Sequence, residues 1–203
     1  GLDEARRVWA MTLEALALIA ARCERFHIDC GWRAGYLSLA VNERKARELQ
    51  AWQSHMQQHY GFDTTWITPA EMPQWIASPR FHSALHDARS GHLNPLKYTR
   101  GLARGAASLG VRIHEGTRVS ALVPGERAQL VTPLGVLSAR WVVLAGNVYL
   151  QGVAPQVERR VMPVETFIAS TGPLAEPLAA SLIPSGSAVS DNNFVLDYFR
   201  VSA

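Results

Sequence analysis

Histidine and cysteine are the side chains with intrinsic reactivity near neutral pH, so their spacing is where chemistry would first show. His82 and His86 stand four apart, the separation of two ligands on one helix face, but the glutamate that a metalloprotease helix places between them is missing. Cys23 and Cys30, the only two cysteines, form no CxxC and have no second pair to complete a zinc set. No metal site is expected, and both read as reduced structural thiols. His114 falls in a strand pattern. His92 lies in a loop just ahead of Pro95, where a ring either titrates near neutral pH in a proton-handling role or satisfies local backbone hydrogen bonds. It is the one catalytic candidate; the catalytic group is otherwise unassigned.

A second kind of chemistry is readable in Trp141-Val-Val-Leu-Ala-Gly-Asn147. The β-branched run predicts a buried parallel strand, and its Ala145-Gly146 end admits a ligand close to the backbone where larger side chains would exclude it. The alternative is close packing at a strand end. A strand of this kind normally belongs to a domain opened by a phosphate-cradling G-x-G-x-x-G loop, and no segment here has that spacing. The chain is therefore expected to be a piece of a larger protein.

These residues must be held by the surrounding elements. Trp9, Leu13, Leu16, Ala20, Cys23 and Phe26 recur at spacings of three and four, predicting a long amphipathic helix capped by Asp3. A strand over 35–41 follows, then a helix from the Asn42 cap to Tyr60 that stops at Gly61, with Ala46, Leu49, Trp52, Met56 and Tyr60 inward and Arg44, Lys45, Arg47 and Glu48 in water. A short strand over 65–67 leads to Thr68-Pro69-Ala70-Glu71, the pattern of a capping box before a short helix. After an irregular segment, Asn94-Pro95 opens a helix that runs to Leu109. Strands are predicted over 111–114, 118–123, 128–132, 136–140 and 141–145, separated by Gly116, Pro124-Gly125 and Pro133-Leu134-Gly135.

Composition excludes several classes. At 203 residues and 48% apolar content the chain can bury one sizeable core or two small ones. Its 20 basic and 17 acidic residues are interspersed, giving no basic stripe for nucleic acid; Arg44-Lys45-Arg47 and Arg159-Arg160 read as solvated faces. The longest apolar run, 15–21, is far short of the ~18 residues that span a bilayer. No signal-peptide pattern opens the sequence, so a soluble, cytoplasmic protein without membrane or nucleic-acid partners is expected.

Gly91-His-Leu-Asn-Pro95, then Gly110-Val-Arg-Ile-His-Glu-Gly-Thr-Arg-Val119, then Val142-Val-Leu-Ala-Gly-Asn147 resemble, in their order, the D-amino-acid-oxidase-type (DAO) family of FAD-dependent oxidoreductases. Within it, Gly91-His-Leu-Asn-Pro-Leu-Lys-Tyr98, Arg160-Val-Met-Pro-Val164 and Asp191-Asn-Asn-Phe-Val-Leu-Asp-Tyr-Phe-Arg200 are similar to the gamma-glutamylputrescine oxidoreductase branch. The resemblance covers nearly the whole chain and implies an α+β fold. Residues 1–88 and 151–203 would be a substrate domain, with a mixed sheet from 35–41, 161–170 and 193–201 and helices on one face. Residues 89–150 would be the second half (helix, strand, β-meander, strand) of a doubly wound FAD-binding domain.

The resemblance further implies an enzyme that oxidises the C–N bond of a small amine or amino acid, gamma-glutamylputrescine-like, by hydride transfer to flavin. That chemistry requires no Ser-His-Asp or Cys-His arrangement. Val119 matches a position whose backbone meets the adenine, and Ala145 and Gly146 match positions along the dinucleotide; a core role is the alternative for Val119. Tyr198 and Arg200 fall on a strand whose side chains face substrate, Arg200 as a bidentate partner for a carboxylate, against the alternative of a surface ion pair. FAD is the implied cofactor, not retained by this chain alone. The implied partners are the substrate and the missing N- and C-terminal parts of the same enzyme, with an exposed edge at 111–114 that invites self-association. The competing expectation is a non-catalytic binding or interaction module on the same scaffold.

Overall fold

The computed structural model describes residues 1–202. The chain divides into two compact units, the first Gly1–Val111 with Gly172–Ala203 and the second Arg112–Thr171.

The first unit begins with α1 (Leu2–Arg25), whose cap is Gly1 rather than Asp3; Asp3 lies inside the first turn, where its charge complements the unpaired backbone N–H groups. β1 (Arg33–Ala40) and α2 (Glu43–Tyr60) follow the expected pattern. Asn42 is extended and accepts the Lys45 N–H at 3.0 Å, while Gly61 takes the left-handed conformation, φ 60°, that ends the helix without steric cost. Ala46, Leu49 and Met56 are buried as expected, but Trp52 is 43% exposed, resting its edge on Phe62 instead. β2 (Thr65–Ile67) precedes a turn in which the Glu71 carboxylate accepts both the N–H and the hydroxyl of Thr68. Only a 3-10 turn, Met72–Gln74, follows it.

The segment read as irregular contains β3 (Ser83–His92). Its sequence holds no β-branched residue, and it is a strand because β1 and β2 flank it on both sides in antiparallel ladders. α3 (Pro95–Ser108) is capped by Asn94, which accepts the Lys97 N–H at 3.0 Å. In the later part of this unit come α5 (Glu176–Leu182), β7 (Ala188–Asp191) and β8 (Tyr198–Phe199). The sheet order is β2-β3-β1-β7-β8, antiparallel except for the parallel β1–β7 pair, so it is mixed. Leu37, Leu39, Ala84 and Val189 point to one face and close a core with Ile67, Met72, Ile76, Phe81 and Ile183. On the other face Leu85 joins Ala40 and the α2 residues Ala46 and Leu49.

The second unit is a three-stranded antiparallel meander, β4 (Ala121–Val123), β5 (Ala128–Thr132) and β6 (Gly135–Ala139), followed by a 3-10 turn at Asn147–Tyr149 and α4 (Pro155–Glu158). Three expected strands are not formed. Residues 111–114 leave α3 through a turn in which Val111 N–H donates to Ala106 O at 3.1 Å. Residues 141–145 and 161–170 enter no ladder, and most of their apolar side chains lie open: Val143 is 87% and Phe167 89% exposed. A strand is defined by its neighbour, and among the described residues neither segment has a strand paired to it. Among the described residues no helix is long and apolar enough to cross a membrane.

Candidate functional site

Two of the residues singled out by type, His92 and Arg200, meet. His92 closes β3, and its approach to β1 depends on Gly91, where a Cβ would fall on the Arg33 carbonyl oxygen. The ring bridges two partners: Nε2 lies 2.9 Å from the Gly186 carbonyl oxygen and Nδ1 2.9 Å from Arg200 Nη1. Both bonds form together when Nε2 carries the proton and Nδ1 accepts from the guanidinium. Arg200 Nη1 also donates to the Leu93 carbonyl at 2.6 Å. Both hydrogens of Nη1 are thereby committed, and among the described residues the Nε and Nη2 edge has no partner. A guanidinium fixed along one edge and free along the other is prepared for two parallel hydrogen bonds to a carboxylate.

The strand alternation expected for 197–200 is present. Asp197 reaches Arg80 at 2.8 Å and Phe199 stacks on Phe81 at 6.2 Å, on the face opposite Arg200. Tyr198 is 53% exposed. The ion pair with Asp197 belongs to Arg80, not to Arg200.

Sequence reasoning missed what holds this strand. Buried Asp191 accepts the N–H of Asn193 at 3.1 Å, the Asn193 side-chain amide at 2.7 Å and the N–H of Asp197 at 3.2 Å, which closes the β7–β8 turn around one carboxylate. Lys45, expected in solvent, is only 15% exposed and donates to Asn192 O and to Glu48, each at 2.8 Å; the ammonium holds the Glu48 carboxyl below its usual range. Asp191-Asn192-Asn193 was the available signal, since adjacent Asp and Asn residues bond their own turns.

His86 sits on β3 and His82 just ahead of it, neither on a helix, so the four-residue spacing brings no shared ligand, and among the described residues no group of three metal-binding side chains occurs. His86 packs on the Trp75 ring at 4.7 Å beside a cavity of about 440 Å³. Burial pushes its imidazole below the ordinary value, with the Asp87 carboxylate pulling the other way.

In the second unit, Val119 and Ala145 line one cavity of about 420 Å³, together with Leu130, Val142, Tyr149 and Leu150. Gly146 is not in its lining; a Cβ there would press on the Leu150 side chain, which is the close packing offered as its alternative role. The backbone of 141–146 makes no sheet ladder, and the walls are mainly apolar. Such a lining fits the flat, apolar part of a dinucleotide better than its phosphates, for which no glycine loop is present.

The whole chain, residues 1–203, matches the DAO family model, described as FAD dependent oxidoreductase. It is 35% identical over 210 residues to the probable oxidoreductase OrdL of Haemophilus influenzae, and 33% identical over 204 residues to the gamma-glutamylputrescine oxidoreductase of Escherichia coli. Each alignment takes in 100% of the chain and 48% of the relative, so the chain spans about half the length of these curated relatives. Among solved structures it is similar to glycine oxidase from Geobacillus kaustophilus, with a TM-score of 0.62 and 26% identity, over 73% of this chain and 41% of that one.

Proposed function

The chain belongs to the DAO family of FAD-dependent oxidoreductases, and from that premise we propose that it supplies the substrate-side wall and part of the FAD site of an enzyme oxidising the C–N bond of a small amine or amino acid. The observation that carries this reading is the Arg200 guanidinium, clamped through Nη1 to His92 and Leu93 with its other edge free. That edge is matched to a substrate carboxylate, and Tyr198 on the same strand face shapes the space beside it. A γ-glutamylated diamine has both the carboxylate and the amine, and the relative named for such a substrate, at 33% identity, supports that choice.

A bound FAD would supply the acceptor for the hydride equivalent on the carbon next to nitrogen. The chain's own residues hold the substrate: Arg200 anchors it, His92 positions Arg200, and the site orients the amine so that its carbon faces the acceptor. Val119 and Ala145 border the dinucleotide, with Gly146 beside them packed on Leu150, in a portion of the FAD domain spanning 89–150, while 1–88 and 151–203 form the substrate domain. The phosphate-binding loop comes from the remainder of the enzyme, as does cover for the open apolar side chains of the second unit.

The test is anaerobic titration of the yellow full-length protein. A γ-glutamylated diamine should bleach the flavin with a much larger reduction rate per unit concentration than the free diamine, which has no carboxylate. Equal values for the two would end the assignment of a carboxylate anchor.

A further inference from the structure

Cys23 and Cys30 are seven residues apart in sequence, yet their sulfurs lie 3.5 Å from each other. The chain reverses between them: α1 ends at Arg25, His27 takes φ 51°, and Ile28 N–H donates back to the Cys23 carbonyl at 2.8 Å. The reversal is fixed from outside as well. Phe26 fits against Gly105 and Ile28 against Gly101 of α3, each glycine being where a Cβ would strike the ring or the branched chain. The Cys30 carbonyl accepts the N–H of Asn94, the cap of α3, at 2.8 Å. The two thiols are therefore held together by packing that does not involve either sulfur.

We propose that Cys23 and Cys30 are a redox modification site, a thiol pair that closes into an intrachain disulfide when the protein meets a peroxide. Cys30 is buried and Cys23 is partly exposed, so Cys23 is the sulfur a small oxidant reaches first. Its sulfur attacks the peroxide; the O–O bond breaks, a sulfenic acid forms at Cys23, and the other oxygen leaves with the thiol proton as alcohol or water. The Cys30 sulfur then attacks that sulfenic sulfur. The S–S bond forms, the S–O bond breaks, and the departing hydroxide takes the Cys30 proton to leave as water. Overall, two thiols lose two hydrogens and one peroxide is reduced.

The sulfurs must close from 3.5 Å to bonding distance, a movement of about 1.5 Å that side-chain rotation can supply. Burial and the neighbouring Cys30 push the Cys23 thiol up from its ordinary value, which slows the first step and makes sustained rather than brief oxidant exposure the effective signal. The disulfide would tie the end of α1 to the loop whose carbonyl holds the α3 cap, one residue from the carbonyl that anchors Arg200. The inference stands on the thiol geometry and does not rest on the substrate reading.

The test is a tryptic map of the full-length protein after treatment with hydrogen peroxide and alkylation of the remaining thiols. Cleavage after Arg22, Arg25 and Arg33 places the two cysteines on different peptides, 23–25 and 26–33. The expected result is that these two peptides migrate joined, two hydrogens lighter than their sum, and separate on reduction. In Cys30→Ser the joined species should be absent, and Cys23 should instead be trapped by a sulfenic-acid reagent. Recovery of both residues as alkylated thiols, or each separately as a sulfinic acid, would overturn the proposal.

Discussion

The two units differ in what they do with their apolar residues. In the first, Leu37, Leu39, Ala84, Leu85 and Val189 are at most 2% exposed, and two faces of one sheet are packed. In the second, Ala154 is the one buried hydrophobic residue among those described, while Trp141, Val143, Met162, Phe167 and Ile168 are each more than four-fifths exposed. Their candidate sites differ in the same way. Arg200 and His92 are fixed by side-chain hydrogen bonds, whereas the cavity at Val119 and Ala145 is a mainly apolar hollow. Apolar residues thus mark a core only where a second surface exists within the chain to receive them.

The largest effect that can break this contrast is on stability. Leu39→Ala removes a fully buried side chain and is expected to cost about 2–5 kcal/mol in denaturant unfolding. Phe167→Ala, a larger truncation at an 89% exposed position, should stay within about 0.5 kcal/mol in this chain. In the full-length enzyme Phe167→Ala should cost more, because the proposed cover is then present. A cost for Phe167→Ala already comparable to Leu39→Ala in this chain would mean that the second unit has a core of its own.

The next effect is kinetic. Arg200→Lys replaces a planar fork by a point charge, so KM for a carboxylated amine should rise by the worth of a charged hydrogen bond, about 1.5–3 kcal/mol. Val119→Ala leaves the backbone in place and should change FAD affinity far less than Arg200→Lys changes KM. A larger loss at Val119 would show that its side chain, not its backbone, carries that site.

What was legible in the sequence follows the same division. Local signals were read correctly: Asn42 and Asn94 as caps, Gly61 as a stop, and the β5–β6 hairpin from Pro133-Leu134-Gly135. Strands whose existence depends on neighbours were misread in both directions. β3 was overlooked because its own residues are polar, and 141–145 and 161–170 were expected because theirs are apolar. At the site, alternation puts Tyr198 and Arg200 on one face and the Asp191-Asn192-Asn193 run marks the turn that Asp191 holds, but the His92–Arg200 contact spans 108 positions and has no local signature.

A smaller effect should come from His92, which touches Arg200. His92→Ala leaves Arg200 Nη1 with one partner, and KM for a carboxylated substrate should rise by about 0.5–1.5 kcal/mol, the net worth of one hydrogen bond, with kcat little changed. His92→Asn offers an acceptor and a donor on one planar group and should recover part of the loss. Should kcat fall while KM holds, His92 would instead act on the reacting atoms.

The smallest effect tests whether the first unit's packing is tight enough to disfavour an ion. Burial against Trp75 lowers the folded His86 imidazole from its ordinary 6.5, so the unfolded chain binds a proton at a pH where the folded chain does not. The sign follows: between 6.5 and the lower folded value the unfolded state is favoured as protons are added, and stability falls as pH drops through that window. Above 6.5 both states are neutral at this residue and its contribution is constant. Measured by urea unfolding from pH 8 to pH 5, His86→Gln should therefore lose less stability on acidification than the parent chain, the remaining slope coming from groups common to both. Parallel curves would mean that the folded imidazole is hydrated as freely as the unfolded one. In that case the cavity beside Trp75 is open to water, and the well-packed region of the first unit ends short of it.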